Sequence, residues 1–466
     1  MLNIFKMSLD CLPNDLLLDI TELIAIPSTQ VFYPPRGCKA TKDLLSFMLC
    51  SKRYQLVVER VFYKRFVQQT VHSFPRFRHT LLEKPRLLQY VRQIQLRDIE
   101  QPAFNPDDTL SNIASLFQLQ SPENGEEPRL IETRYSLWYE QAISLILLLP
   151  NLEKVTITRY AEDLLPFFGA LTKVLKLKDP ANPTVQKFQL SNLRKLVIEY
   201  NSTRYRAGFA GTEFLLAHPS LNTVEGDMLL DRNWGPSSSD VTFQLRSLRL
   251  QRSNLSSNVI RNLLSCCPLL EHLMYEHDEN FNDSPFFPHQ FAASIAHLES
   301  CLQSLVLYRS EKGSDAQYTL QEFTTIGSLV PFQRLKHLSI TAHLLLGPQN
   351  FRGSKWYTTA KETMTLQRCL TQSLANCLPE YLESLRLKDC GSEIFANVSE
   401  LLNERIPNLK KITLCFRHIG DFGNNESSWT SGGHIGGLSV ASHSRAIERL
   451  EAACSDRGIM LAIEYA

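Results

Sequence analysis

Twelve histidines and eleven cysteines are the residues of this 466-residue chain best suited to metal, redox or nucleophilic chemistry. Their spacing argues against all three. Zinc and redox sites need paired ligands close in sequence, and here no CxxC pair and no His/Cys cluster at zinc spacing occurs. Cys266 and Cys267 are adjacent, just before Pro268, and read as buried structural thiols at a helix end. His272, His337 and His343 fall singly on or beside strands, where a lone imidazole is an ordinary side chain rather than a ligand. No G-x-S-x-G elbow, Walker loop, H-E-x-x-H or dinucleotide glycine fingerprint is found. The expectation is a protein that is not an enzyme, with no catalytic, cofactor-binding or metal residue and no cofactor.

Binding chemistry is what remains, and composition narrows it. Forty-nine basic against 48 acidic residues leave a net charge of +1, without the basic excess a nucleic-acid partner would call for. Asp10, Asp15, Asp19 and Glu22 interrupt the N-terminal apolar stretch, unlike a signal-peptide core. Runs such as Leu145 to Leu149 are too short to span a bilayer. With scattered thiols, these features imply no membrane partner and a cytoplasmic or nuclear location. A hydrophobic content of 43% is ample for a buried core.

The elements that would position a binding surface show themselves as a repeat. One frame recurs: an apolar residue, two variable positions, a second apolar residue, one variable position and a third. Its clear copies begin at Leu152, Leu193, Leu245, Leu270, Leu302, Leu335, Leu382 and Leu409. A degenerate copy sits at Leu221 and Val224, an early one at Val91, Ile94 and Leu96, and a last strand at Ile459, Leu461 and Ile463. The second and third apolar residues share one face of a strand, and the first packs under the incoming turn. Proline stands two residues before the frame at Pro150, Pro219, Pro268 and Pro407, and slightly earlier at Pro331 and Pro379. It ends one helix and launches the next strand. Helical spacing marks 258–266, 320–329 and 393–404. One strand and one helix per unit make an α/β solenoid, with a parallel sheet inside and helices outside.

This pattern resembles the leucine-rich-repeat family. Asn201 and Cys390 match that family's Asn or Cys three positions after the third apolar residue, a side chain that turns inward at the bend. Ser253, Ser310, His343 and Arg417 take its place elsewhere, and unit spacing runs from 24 residues (221 to 245) to 47 (335 to 382). The solenoid is assigned to 68–466, with loop insertions near 121–128, 233–240 and 418–444.

Residues 9–67 form a separate, all-helical cassette. Leu12-Pro13 opens a helix carrying Leu16, Leu17, Ile20, Leu23 and Ile24 on one apolar face. A second helix starts near Thr41 with Leu44 and Leu45, and Ser51 caps a third containing Tyr54, Val57 and Val61. The segments LPNDLLLDITELI and DLLSFMLCSKRYQLVVERVFYKRF resemble the F-box. The resemblance implies docking of a Skp-type adaptor, and through it a cullin, by Leu12, Pro13, Leu16, Leu17, Ile20, Leu44 and Leu45. With repeats attached, it implies the substrate-recognition subunit of a ubiquitin ligase. The connection over 27–42 is longer than that family's and holds three prolines. The other reading of the cassette is a cap on a stand-alone repeat scaffold that binds proteins without any ligase role.

Side chains alternating with the inward leucines face the concave side. Lys154, Lys195, Arg249, Arg386, Lys388 and Lys411 outnumber Glu199 and Glu276, with His272, Met274 and Tyr308 among them. This bias points to an acidic or phosphorylated target protein. The expected target-binding residues are Lys195, Arg249, Met274, Tyr308, Arg386, Lys388 and Lys411, with Trp429 as an anchor from the glycine-rich 418–444 loop. The other reading of these charges is that they only keep an open sheet face solvated.

Overall fold

A computed structural model describes residues 12–25, 39–70, 72–97, 141–159, 171, 190–200, 212–230, 241–279, 285–309, 324–347, 373–391, 394–404, 406–416, 434–435 and 438–465. The chain divides into two compact units, Met1–Ala161 with Leu165–Ser202, and Glu162–Leu164 with Thr203–Ala466.

The first unit opens with helices α1 (Asn14–Ala25), α2 (Lys39–Cys50) and α3 (Lys52–Phe62). Leu17, Tyr54 and Val57 form a small core, against which Leu12, Leu18 and Phe47 pack. The rings of Phe47 and Tyr54 stack at 4.7 Å. Ser51 caps α3 as its position in the sequence requires, its Oγ accepting from the Tyr54 N–H at 3.1 Å. Four parallel strands follow, β1 (Arg65–Val67), β2 (Gln93–Arg97), β3 (Lys154–Arg159) and β4 (Lys195–Tyr200). Their register aligns Phe66, Ile94, Val155 and Leu196 in one inward row. The cassette boundary at residue 67 needs correcting. Residues 65–67 are a strand of the sheet, because Phe66 is buried and stacks on Phe77 at 4.0 Å.

The second unit carries β5 (Thr223–Asp227), β6 (Ser247–Ser253), β7 (His272–His277), β8 (Ser304–Arg309), β9 (His337–Thr341), β10 (Ser384–Cys390) and β11 (Lys411–Phe416). A short antiparallel pair, β12 (His434–Ile435) and β13 (Leu438–Ser439), precedes β14 (Met460–Tyr465). Strands β5 to β11 and then β14 run parallel in that order. Leu248, Leu273, Leu305, Leu338, Leu385, Ile412 and Leu461 are register partners across it, so the frame read from the sequence is the pleat of the sheet. Leu305, Leu307, Leu385 and Leu387 are fully buried, each contributing roughly 1.5–3 kcal/mol by leaving water.

The turns between units are built alike. Glu271 and His272 donate their N–H groups to one carbonyl, that of Arg246, and Gln303 and Ser304 do the same to Glu271. The side chains of this row pair across strands. Arg246 bonds Glu271, and Glu383 takes Lys410 at 2.7 Å and Lys336 at 3.3 Å. Hydrogen bonds from Lys410 and then Lys336 hold the Glu383 carboxyl below its usual range. At the other end of the strands the backbone bends through a left-handed residue, Met228 (φ 59), Arg252 (φ 44) or Asp389 (φ 56). Each lies two positions after the third frame residue. The kink turns the next side chain inward, and Leu229, Ser253 and Cys390 are all buried. Ser253 Oγ accepts from the Leu229 N–H at 3.2 Å, and the Cys390 thiol donates to the Leu387 carbonyl at 3.3 Å. The inward turn expected at Cys390 is therefore present, while Asn201, Ser310 and Arg417 lie outside the described residues.

Two helix expectations hold, at Ser257–Ser265 and Ile394–Asn403, and one does not. Residues 324–329, the described part of that expected helix, are neither helix nor strand. Gly327 has a left-handed φ of 77°, and the Ile326 and Leu329 N–H groups donate to Leu344 and Cys377 carbonyls of neighbouring segments. The 418–444 insertion is also shorter than expected. β12, β13 and the start of helix Val440–Ser455 occupy its last part. The insertions at 121–128 and 233–240 lie outside the described residues.

Candidate interaction surfaces

The cassette core is too small to cover all its leucines. Leu16 and Leu23, seven residues apart on α1, are 48% and 69% exposed. Leu45 and Leu49, one turn apart on α2, are 43% and 87% exposed, and Leu56 on α3 is exposed as well. Side chains at these spacings share a helix face. Two polar ties hold α1 to α3 and to the residues just after it. Arg53 donates to Asn14 Oδ1 at 3.0 Å and to the Leu12 carbonyl, fixing the Leu-Pro opening, and Lys64 meets Glu22 at 2.8 Å. Of the residues expected to meet an adaptor, Pro13, Leu16 and Leu45 are exposed, and Leu12 and Ile20 are half-buried. Leu17 and Leu44 are 0% and 6% exposed. Those two assignments are corrected: both side chains face inward, where they support the surface instead of forming it. Leu23, Leu49 and Leu56 take their place on it, and helical spacing alone could have found the first two.

The second surface is the open face of the sheet in the second unit. Its middle row runs Glu225, Arg249, Met274, Val306, Ser339, Arg386 and Thr413, one residue per strand from β5 to β11. Arg249 is exposed, and Met274, Val306 and Arg386 are half-buried. The next row outward holds Glu276 and Tyr308 in register on β7 and β8, and Lys388 on β10. Lys388 Nζ lies 3.9 Å from the centre of the Tyr308 ring, a cation–π contact. The Tyr308 hydroxyl shares a hydrogen bond of 2.6 Å with Ser339. Arg386 donates to Glu464 at 2.5 Å and, from Nε, to Cys415 Sγ at 3.4 Å. Arg252 forks onto both oxygens of Asp227. Burial pushes the Cys415 thiol above its ordinary range, so it stands here as a neutral hydrogen-bonding group.

Residues 240–420 match the model of the leucine-rich repeat domain. This part of the chain is a leucine-rich-repeat domain. No curated protein matches the chain.

Arg249, Met274, Tyr308, Arg386, Lys388 and Lys411 all lie in the leucine-rich-repeat domain and line one face of its sheet. Lys195 belongs to the first unit, beside Lys154 in register, and Trp429 lies outside the described residues. The expected basic excess is smaller than the sequence implies. Glu464 answers Arg386, and Asp227 answers Arg252. Sequence reading passed over Ser339, Cys415 and Glu464, whose positions alternate with frame leucines and were available to it. It also missed a repeated asparagine just before the first frame residue. Asn151, Asn192 and Asn408 donate Nδ2 to the carbonyls of Gln89, Pro150 and Glu380 at 3.0, 3.1 and 3.1 Å. Cys266 and Cys267 are buried as expected, and among the described residues no group of His, Cys, Asp and Glu could hold a metal ion. No helix among the described residues is long and apolar enough to cross a membrane.

Proposed function

We propose that the chain is the substrate-recognition subunit of a cullin-based ubiquitin ligase. In this reading the N-terminal helices dock a Skp-type adaptor, which joins the cullin, and the open face of the repeats holds the target protein. The observation that carries it is the set of leucines left exposed on α1 and α2, Leu16, Leu23, Leu45 and Leu49, beside a core that is already closed. Exposed leucines at helical spacing on a cassette this small favour a partner that buries them. The chain contributes proximity and no bond-making group: it brings a target near an activated ubiquitin, converting an encounter in solution into a local one. Adaptor docking is tested by co-purification of the full chain with a Skp-type adaptor. Leu16→Asp together with Leu45→Asp should abolish capture while the circular-dichroism spectrum is unchanged. Capture that survives the double substitution overturns the reading. No capture by the unaltered chain leaves the stand-alone binding scaffold.

A further inference from the structure

We propose that the open face of the leucine-rich-repeat domain takes an extended peptide with an apolar residue on Met274 and Val306 and acidic residues on Arg386 and Lys388. This rests on the target-holding role proposed above for the repeats. Charge along the face is uneven. Glu225, Asp227 and Glu276 on β5 to β7 are interleaved with Arg249 and Arg252 of β6, whereas Arg386, Lys388 and Lys411 gather on β10 and β11. An acidic segment is drawn to the β10–β11 end. Arg386 already holds a carboxylate, that of Glu464, in a pair whose members are 41% and 45% exposed. So open a pair is worth little to the fold, and an incoming carboxylate can share or displace it at small cost. Lys388 is positioned by the Tyr308 ring, not neutralised by it, and its ammonium keeps donors for an acceptor above the sheet.

The apolar half comes from Met274 and Val306, register partners on β7 and β8 that are only half-buried. They are the side chains of the middle row with no polar group to offer, flanked by the Tyr308 ring. From Val306 the row passes through Ser339 to Arg386, two strands on. Two strand spacings are roughly 10 Å, the reach of about three residues of extended chain. The preferred ligand therefore carries an apolar residue about three positions from an acidic pair.

The test pans a random-peptide display library on the full chain, then measures the selected peptides by fluorescence polarisation. Selected peptides should be acidic with an apolar anchor. Their affinity should fall about tenfold or more with Arg386→Glu or Lys388→Glu, as for loss of a close charge pair. Val306→Asp should abolish binding. Arg386→Gln and Lys388→Gln serve as milder variants, and adaptor capture by the same variants should be unchanged, which separates this proposal from the cassette reading. No enrichment, enrichment of basic or neutral peptides, or indifference to charge reversal overturns it. Binding that appears only when phosphoserine replaces the acidic pair also overturns it, in favour of a phosphate site.

Discussion

At the scale of single residues, alternation along a strand separates neighbours with opposite roles. Leu248 is 1% exposed and packs in the core, while Arg249, the next residue, is exposed on the open face. Leu248→Ala should cost about 2–5 kcal/mol, because the cavity it leaves cannot fully collapse. Arg249→Ala should cost about 0.5 kcal/mol, as surface substitutions do. Urea denaturation of the two variants checks this, and equal midpoints would show the strand phase to be wrong. Gly226 marks the limit of such reading. It occupies the third frame position of β5, where a leucine is expected, and a Cβ there would stand 2.5 Å from Leu229 Cδ1. The copy looked degenerate in sequence because the apolar filler comes from Leu229, three residues on, after the left-handed bend at Met228.

At the scale of elements, the helix Val440–Ser455 leads into β14, the last strand of the second unit, and His443 ties it down. The imidazole is 2% exposed, edge-on to Phe416 at 4.9 Å and Phe395 at 5.2 Å, and within 3.5 Å of the Tyr465 hydroxyl. Burial lowers its pKa, so the folded chain resists a proton that the unfolded chain accepts near pH 6.5. This contribution is complete above that pH and is lost as pH falls toward the depressed folded value. The unfolding midpoint in urea should drop between pH 7.5 and pH 5. His443→Phe should remove part of that drop, and an unchanged pH dependence in the variant would assign it to other groups. The helix's anchor was not legible in the sequence. A histidine among polar helix residues announces burial only when two phenylalanines from other elements close over it.

At the scale of the molecule, the cassette and the sheet of the first unit meet at a strand that the sequence hides. Arg65–Val67 is three residues long, too short for any periodicity, yet Lys64 supplies the carbonyl that accepts from both the Arg92 and Gln93 N–H groups at 2.9 and 3.0 Å. Glu59 on α3, buried, pairs with Arg86 at 2.9 Å. A chain begun at Gln68 should therefore be less stable than one begun at Lys64 by about 3 kcal/mol or more, since it loses the buried Phe66 ring. Thermal denaturation of the two truncated chains measures the difference. Equal midpoints would place β1 with the cassette rather than the sheet.

The sequence by itself determined the parallel repeat, its strand phase and the three helices of the cassette. These are set by local periods of two and 3.6 residues and by prolines, all of which are written within one unit of chain. Tertiary structure decided what depends on neighbours far apart in sequence. It turned Leu17 and Leu44 inward and left Leu23 and Leu49 outside, because α3 covers only one face of α1 and α2. It kept 324–329 out of a helix, because backbone N–H groups there found partners in other segments. It also reduced the basic bias of the open face, since Glu464 reaches Arg386 only once 78 residues of chain have folded back beside it. Charge can be counted along a sequence, but which charges neutralise each other is a matter of distance, and distance is settled by the fold.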